Sequence, residues 1–413
     1  MKFALLGSDA ESLALSEAAL TAGHQLIWVG DVPNRLEHAD WQVLLDRQTA
    51  DVVLVGRGQA EPEVRAEQLE SLAKQGITVL ATHPVVPSVL SYFEIDMSRD
   101  ESGALFRYYH PTAEHPVVEQ LAAWIRQGQP KLGMIEQIVC QRGLAERTRE
   151  RVLWHFARDV LLLARLGGCL NRLGALGSPS SDATYAALSV QMIGQLERPV
   201  HWSVGPEDGS PGLQLTLVGQ QGRLLLQLDE AGMPRRQMLH LAGAQEELPQ
   251  LGADFNPAAE AVKAICLALR EADGIDVPPA QGGEHANAAD SHRDQPQASH
   301  CPRTTQSTWR EALLAMELTD TIEISLRRGR MIDVHQQQLT EYMAFKGMMS
   351  AIGCGLLLVL PMLLLGLGWI AGEMGLPVAS YWPHGLLLLL GLFLALQALP
   401  WLLYSKCKSA EKG

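Results

Sequence analysis

The sequence predicts an α/β chain of two soluble parts that ends in a pair of membrane helices. Three observations carry that prediction. Short apolar runs alternate with helical patterns over the first 130 residues. After residue 130, β-patterned runs follow one another with few helices between them. Two charge-free apolar runs then close the chain. The first pattern makes βαβ units and a doubly wound parallel sheet, and the second makes an α+β domain with an open antiparallel sheet. The expected domains are 1–130 and 131–273, a flexible linker over 274–308, a helix and turn over 309–334 that return to the core, and membrane spans over 347–372 and 385–404.

In the first part, Phe3–Leu6 reads as strand, Glu11–Ala22 as helix and Gln25–Val29 as a second strand that runs into Gly30-Asp31. Val52–Val55 is a third strand, Val64–Gln75 a helix stopped by Gly76, and Thr78–Ala81 a fourth strand. Leu105–Tyr109 is a fifth, followed by a helix over Pro116–Gln127. In the second part a long helix over Glu146–Leu166 precedes strands at Tyr185–Ile193, Val200–Val204, Leu213–Val218, Arg223–Leu228 and Gln237–Leu241. The tetrapeptide Gly219-Gln220-Gln221-Gly222 makes a hairpin turn between two of them. Pro257–Ala272 returns to helix, and Trp309–Arg328 is an amphipathic helix stopped by Gly329. The stretch between these helices is rich in Pro, Gly, Gln, Asn, Ser and His and poor in aliphatic residues, the composition of a solvated linker.

No charged residue occurs from Gly347 to Gly372 or from Gly385 to Tyr404. Each run is long enough to cross a bilayer core as a helix of roughly 20 residues. Arg327, Arg328, Arg330 and Lys346 precede the pair, and Lys406, Lys408 and Lys412 follow it, whereas Glu373–His384 between them has neither Lys nor Arg. The positive-inside bias therefore puts both outer ends in the cytoplasm, with the hairpin in the inner, cytoplasmic membrane. Membrane lipid is thus an expected partner. The six cysteines are scattered without a C-x-x-C pair, which predicts neither a disulfide framework nor a metal site. A net charge of -13 argues against nucleic acid. Two spans with no charged residue inside them offer no ion path, which argues against a transporter.

A strand, a glycine turn, a helix and a second strand ending in an acid form the plan of a dinucleotide site. There the phosphates rest on the helix N-terminus and the acid holds a ribose hydroxyl. Gly7 and Ser8 form the turn here, and Asp31 is the acid. The segment Gly7-Ser8-Asp9-Ala10-Glu11-Ser12 keeps the first glycine of the G-x-G-x-x-G fingerprint and has Asp9 at the second. A carboxylate facing a phosphate at about 4 Å would cost roughly 4 kcal/mol at an effective dielectric near 20. Asp9 and Glu11 could instead cap the helix. Both readings are open in the sequence.

The order of these segments, with Asp51-Val-Val-Leu-Val, Gly76-Ile-Thr-Val-Leu-Ala-Thr-His83-Pro84, the Leu213–Leu228 hairpin, the Pro257–Ala272 helix and the final helix with the turn after it from Glu311 to Arg330, resembles the Gfo/Idh/MocA oxidoreductases over nearly all of residues 1–334. The resemblance implies a Rossmann-like first domain and a substrate domain that also admits a homo-oligomer. It implies an NAD or NADP cofactor on Gly7, Ser8, Asp9, Asp31 and His83, and a small sugar- or cyclitol-like substrate. It places Thr82-His83-Pro84 where the family has Glu-Lys-Pro, so that His83 stands for the catalytic lysine, with His155 and Asp159 as further catalytic candidates. A carboxylate at Asp31 would repel a 2′-phosphate, a lean towards NAD that nearby Arg35 would offset. Arg57-Gly58 stands where the family has Thr-Pro. Two functions follow as expectations: a membrane-anchored oxidoreductase with a degenerate active site, or a non-catalytic binding or scaffold protein that keeps the fold.

Overall fold

The computed structural model describes residues 1–32, 40–177, 184–194, 196–207, 212–242, 244–249, 252, 254–272 and 308–334. Both apolar runs, Arg35 and residues 274–307 lie outside the described residues. No helix among the described residues is long and apolar enough to cross a membrane.

The first sheet has five parallel strands, β1 (Lys2–Leu6), β2 (Gln25–Gly30), β3 (Val52–Val55), β4 (Val79–Thr82) and β5 (Phe106–Tyr109), in the order β2-β1-β3-β4-β5. Strands β3, β4 and β5 are buried at every position, and β1 at all but its first. Such continuous burial is what a parallel sheet covered on both faces requires. Helix α1 (Ala10–Thr21) covers one face, and α2 (Pro62–Lys74) packs against α3 (Val89–Ser102). Because the chain steps from β2 back across β1 to β3, a crevice opens between the carboxyl ends of β1 and β3, the usual ligand position in open α/β sheets.

Helix α4 (Pro116–Gln127) leads into β6 (Ile135–Gly143), the centre of the second sheet. Nine strands lie in the order β13-β12-β11-β10-β6-β9-β8-β7-β14. The flanking strands are β7 (Leu170–Leu176), β8 (Ser189–Gly194), β9 (Pro199–Gly205), β10 (Gly212–Gly219), β11 (Gly222–Leu228), β12 (Pro234–Leu241), β13 (Ala244–Glu247) and β14 (Ile332–Asp333). All neighbours are antiparallel except β6 and β9. Helix α5 (Arg149–Gly167) packs on β8 and β9.

The last two helices are spent on the first sheet as well as the second. In α6 (Pro257–Ala272), Ala258, Val262 and Ile265 join Phe3, Leu5 and Leu15 in one core cluster. Helix α7 (Trp309–Arg328) packs against α3, α5 and β7. Its Trp309 ring stacks on Tyr92 at 4.7 Å and donates its indole N–H to the Tyr92 carbonyl at 3.1 Å. All of these elements belong to one compact unit, Met1–Val334.

Candidate functional site

The β1 turn is built around Gly7, whose φ of 78° is the left-handed conformation that glycine adopts freely. A Cβ here would collide with the Arg65 guanidinium and with the Gly56 carbonyl. Beyond the turn, Asp9 caps α1. Its Oδ1 accepts the Ser12 amide at 2.8 Å, and the Ser12 hydroxyl accepts the Asp9 amide at 2.9 Å. Its Oδ2 accepts two further hydrogens from across the sheet edge, from the Arg57 amide after β3 at 2.9 Å and the Thr82 hydroxyl at the end of β4 at 2.8 Å. One carboxylate therefore joins the carboxyl ends of three strands. It holds one of the amide donors, that of Ser12, that a helix N-terminus would otherwise present to an external anion.

Asp31, at φ 53°, is engaged in the same way. Its carboxylate accepts the Gln59 amide at 3.1 Å and the Ala60 amide at 3.3 Å, and it forms an ion pair with Arg65. Arg65 is 1 % exposed and also donates to Gln68 Oε1 at 2.8 Å. A Cβ on Gly58 would strike both the Asp31 carboxylate and, at 2.6 Å, Arg65 Nη2. The loop after β3 is therefore drawn over Asp31. Nothing in the local sequence announces Arg65: it sits on a helix 34 residues from its partner.

These contacts decide how well a nicotinamide dinucleotide fits the residues present. At the glycine turn the Asp9 carboxylate is bonded to Ser12, Arg57 and Thr82, and Asp31 at the end of β2 is paired with the buried Arg65. The residues do not fit the cofactor in this arrangement.

His83 follows β4 directly and is 1 % exposed. Its Nε2 lies 3.2 Å from the Ala157 carbonyl, which can only accept, so Nε2 carries the proton. Nδ1 then accepts the Tyr92 hydroxyl at 3.2 Å. Burial, and next the charge of Arg158, push its pKa down to about 3. It is a neutral imidazole packed against the Tyr92 and Tyr108 rings, 5.6 and 5.8 Å away. Asp159 is buried, paired with Arg142 and accepting the Trp202 indole N–H at 2.9 Å. Arg158 donates to the His83 carbonyl at 2.9 Å and pairs with Glu11, whose carboxylate it meets at 3.0 Å. Asp9, Asp31, His83 and Asp159 are thus each committed to partners inside the protein.

His155 differs, because it reaches an open cleft. Half-buried, it is held to a pKa of about 3 by burial and then by Arg142. The cleft has a volume of about 540 Å³, within the usual range for small-molecule sites. Arg57, Arg142, Arg151 and His155 line it together with Glu150, Glu207 and Glu230. Trp154 forms part of the wall, with the Arg57 and Arg158 guanidinium carbons 5.7 and 4.8 Å from its ring. Its indole N–H has no hydrogen-bond partner among the described residues. Mixed donors and acceptors around an aromatic face suit a hydroxyl-rich ligand. Trp154 and Arg142 escaped the sequence reading because their neighbours come from distant strands and loops.

No protein-family model matches the chain, and no curated protein is similar to it in sequence. Solved structures do match in fold. A putative NADPH-dependent oxidoreductase from Desulfitobacterium hafniense has a TM-score of 0.61 at 13 % identity, covering 81 % of this chain and 97 % of its own. The WlbA dehydrogenase from Chromobacterium violaceum, solved with NADH and UDP-GlcNAcA, has a TM-score of 0.56 at 13 % identity over 82 % of this chain and 96 % of its own. A putative myo-inositol dehydrogenase from Sinorhizobium meliloti has a TM-score of 0.56 at 14 % identity over 81 % of this chain and 100 % of its own. The described part of the chain therefore has the fold of Gfo/Idh/MocA-type NAD(P)-dependent oxidoreductases.

Proposed function

We propose that this chain uses the oxidoreductase fold as a sugar-binding protein held at the inner face of the cytoplasmic membrane, with its dinucleotide groove closed by internal contacts. One observation carries the reading. The Asp9 carboxylate accepts the Ser12 amide in the first turn of α1 while also bridging to the Arg57 amide and the Thr82 hydroxyl. The open cleft beside it retains the donors, acceptors and aromatic face that a sugar or cyclitol needs. The charge-free runs 347–372 and 385–404, flanked by cations, support the membrane anchor. The structural neighbours that bind sugar-like molecules support the ligand class.

A second reading retains hydride transfer from a substrate alcohol to NAD, with His83, His155 and Asp159 as the catalytic set. It is favoured by Thr82-His83-Pro84 at the end of the fourth strand and requires the contacts of Asp9, Asp31 and His83 to open. The proposal is tested by titrating the full chain in phosphatidylcholine nanodiscs with methyl glycosides of glucose, galactose, mannose and glucuronic acid. Saturable binding of at least one, weakened by Trp154→Ala, supports it. No binding of any, or binding indifferent to Trp154, contradicts it.

A further inference from the structure

We propose that the sugar-like ligand is the head of a membrane glycolipid, whose apolar chain lies in a second trough between α3, α5 and α7. The proposal rests on the sugar-cleft reading above and extends it to a surface that reading leaves unused.

The trough measures about 790 Å³, and Val86, Pro87, Val89, Leu90, Leu153 and Met316 supply its apolar walls. Leu90 is 43 % exposed, a large aliphatic side chain at the start of α3 with no cover. Arg57, Thr148, Glu150 and Trp154 line both this trough and the sugar cleft. Two of the four are surface side chains: Arg57 is 49 % and Glu150 85 % exposed, 3.9 Å apart. The partition accordingly reaches the surface at Arg57 and Glu150, while the Trp154 indole N–H behind it is buried without a partner among the described residues. Thr319 and Asp320 also line the trough, as do Arg149 and Glu323, which pair with each other. One ligand crossing the partition would meet hydroxyl-binding groups on one side and an apolar wall on the other, which is the chemistry of a glycolipid.

The chain also carries the means to stay close to such a ligand. Helix α7, which contributes Met316, Thr319, Asp320 and Glu323 to the trough, is followed by β14. Only residues 335–346 separate Val334 from the first charge-free run. Fully extended, that connection spans no more than roughly 40 Å.

The test compares methyl and n-octyl β-D-glycosides of the same four sugars, binding to the full chain in phosphatidylcholine nanodiscs, with empty nanodiscs as the partition background. Burial of even part of an octyl chain raises affinity roughly tenfold or more over the methyl glycoside. Leu90→Asp should remove that gain and leave methyl glycoside binding unchanged. The new acid falls in the first turn of α3, where it favours the helix, so the variant should fold. A photoreactive octyl glycoside should label α3, α5 or α7. If methyl glycosides bind and octyl ones bind no better, the lipid inference fails and the sugar-binding reading stands. If no glycoside of either kind binds, both fail. An octyl gain indifferent to Leu90→Asp, or labelling confined to other elements, overturns the trough as the site.

Discussion

The Thr82 hydroxyl donates to the Asp9 carboxylate at 2.8 Å, tying the end of β4 to the N-cap of α1 across 73 residues of sequence. That bond crosses the sheet edge where, in folds of this type, a ligand enters between strand ends. Asp9 is therefore a structural strut as well as a helix cap, and its removal has a measurable cost. Asp9→Ala should destabilise the protein by about 1–3 kcal/mol, from the lost cap and the stranded Arg57 amide and Thr82 hydroxyl. Asp9→Asn should recover part of this. Urea unfolding of the detergent-solubilised chain measures it, and an unmoved midpoint would show that the carboxylate holds nothing together.

Asp159 should behave as half of a buried ion pair. Asp159→Asn leaves the Arg142 guanidinium without its counter-charge, at a cost of about 3–5 kcal/mol. Replacing both, Arg142→Met with Asp159→Leu, should cost clearly less than the two single changes together. Additive losses in that double-mutant cycle would argue that the two groups are uncoupled.

Buried neutral histidines predict acid lability. His83 and His155 titrate near pH 3 in the folded chain, against about 6.5 when unfolded. Between those values the unfolded chain binds more protons, so stability is fully present above pH 6.5 and falls as pH drops. At pH 5.5 His83 alone should cost about 1 kcal/mol, with a smaller loss from the more accessible His155. Melting temperatures recorded from pH 7.5 down to 5 should decline, and the decline should be shallower in His155→Gln. A flat profile would mean that these rings are not held neutral.

Glu317 acts with the opposite sign. It is buried on α7 near Asp96, its Oε2 lacks a partner among the described residues, and burial followed by the Asp96 charge raises its pKa to about 7. The folded chain holds this proton better than the unfolded chain does. Its contribution therefore weakens stability as pH rises from about 4.5 to 7, and the penalty is complete above that. Glu317→Gln should raise the melting temperature at pH 8 and change little at pH 5. Equal effects at both pH values would remove titration as the cause.

Much of this fold was legible because its strands are uninterrupted apolar runs. Val52–Val55 and the run ending at Ala81 are buried on both faces and match their strands within a residue or so. Helix α3 was not legible: VLSYFEIDMSRDES mixes Tyr92, Phe93 and Ile95 with Asp96 and Ser98, all buried, so no apolar stripe separates from a polar face. Strand β6 was missed for a related reason, since polar Glu136, Gln137, Gln141 and Arg142 break up its apolar residues. Strand β8 begins at Ser189, four residues after the expected start at Tyr185. At the site, Gly7, Asp9 and Asp31 could be named from their order alone. Their partners could not, because Thr82 and Arg65 meet them only through the crossovers of the sheet.

The proposed closure of the dinucleotide groove rests on Asp9, Asp31 and Arg65. Isothermal titration of the full chain in nanodiscs with NADH and NADPH, taken to millimolar concentration, tests it most directly. Neither nucleotide should give saturable heat, because the Ser12 amide of α1 and the Asp31 carboxylate are already bound within the protein. Saturable binding with a micromolar Kd, abolished by substituting Asp31, would contradict it.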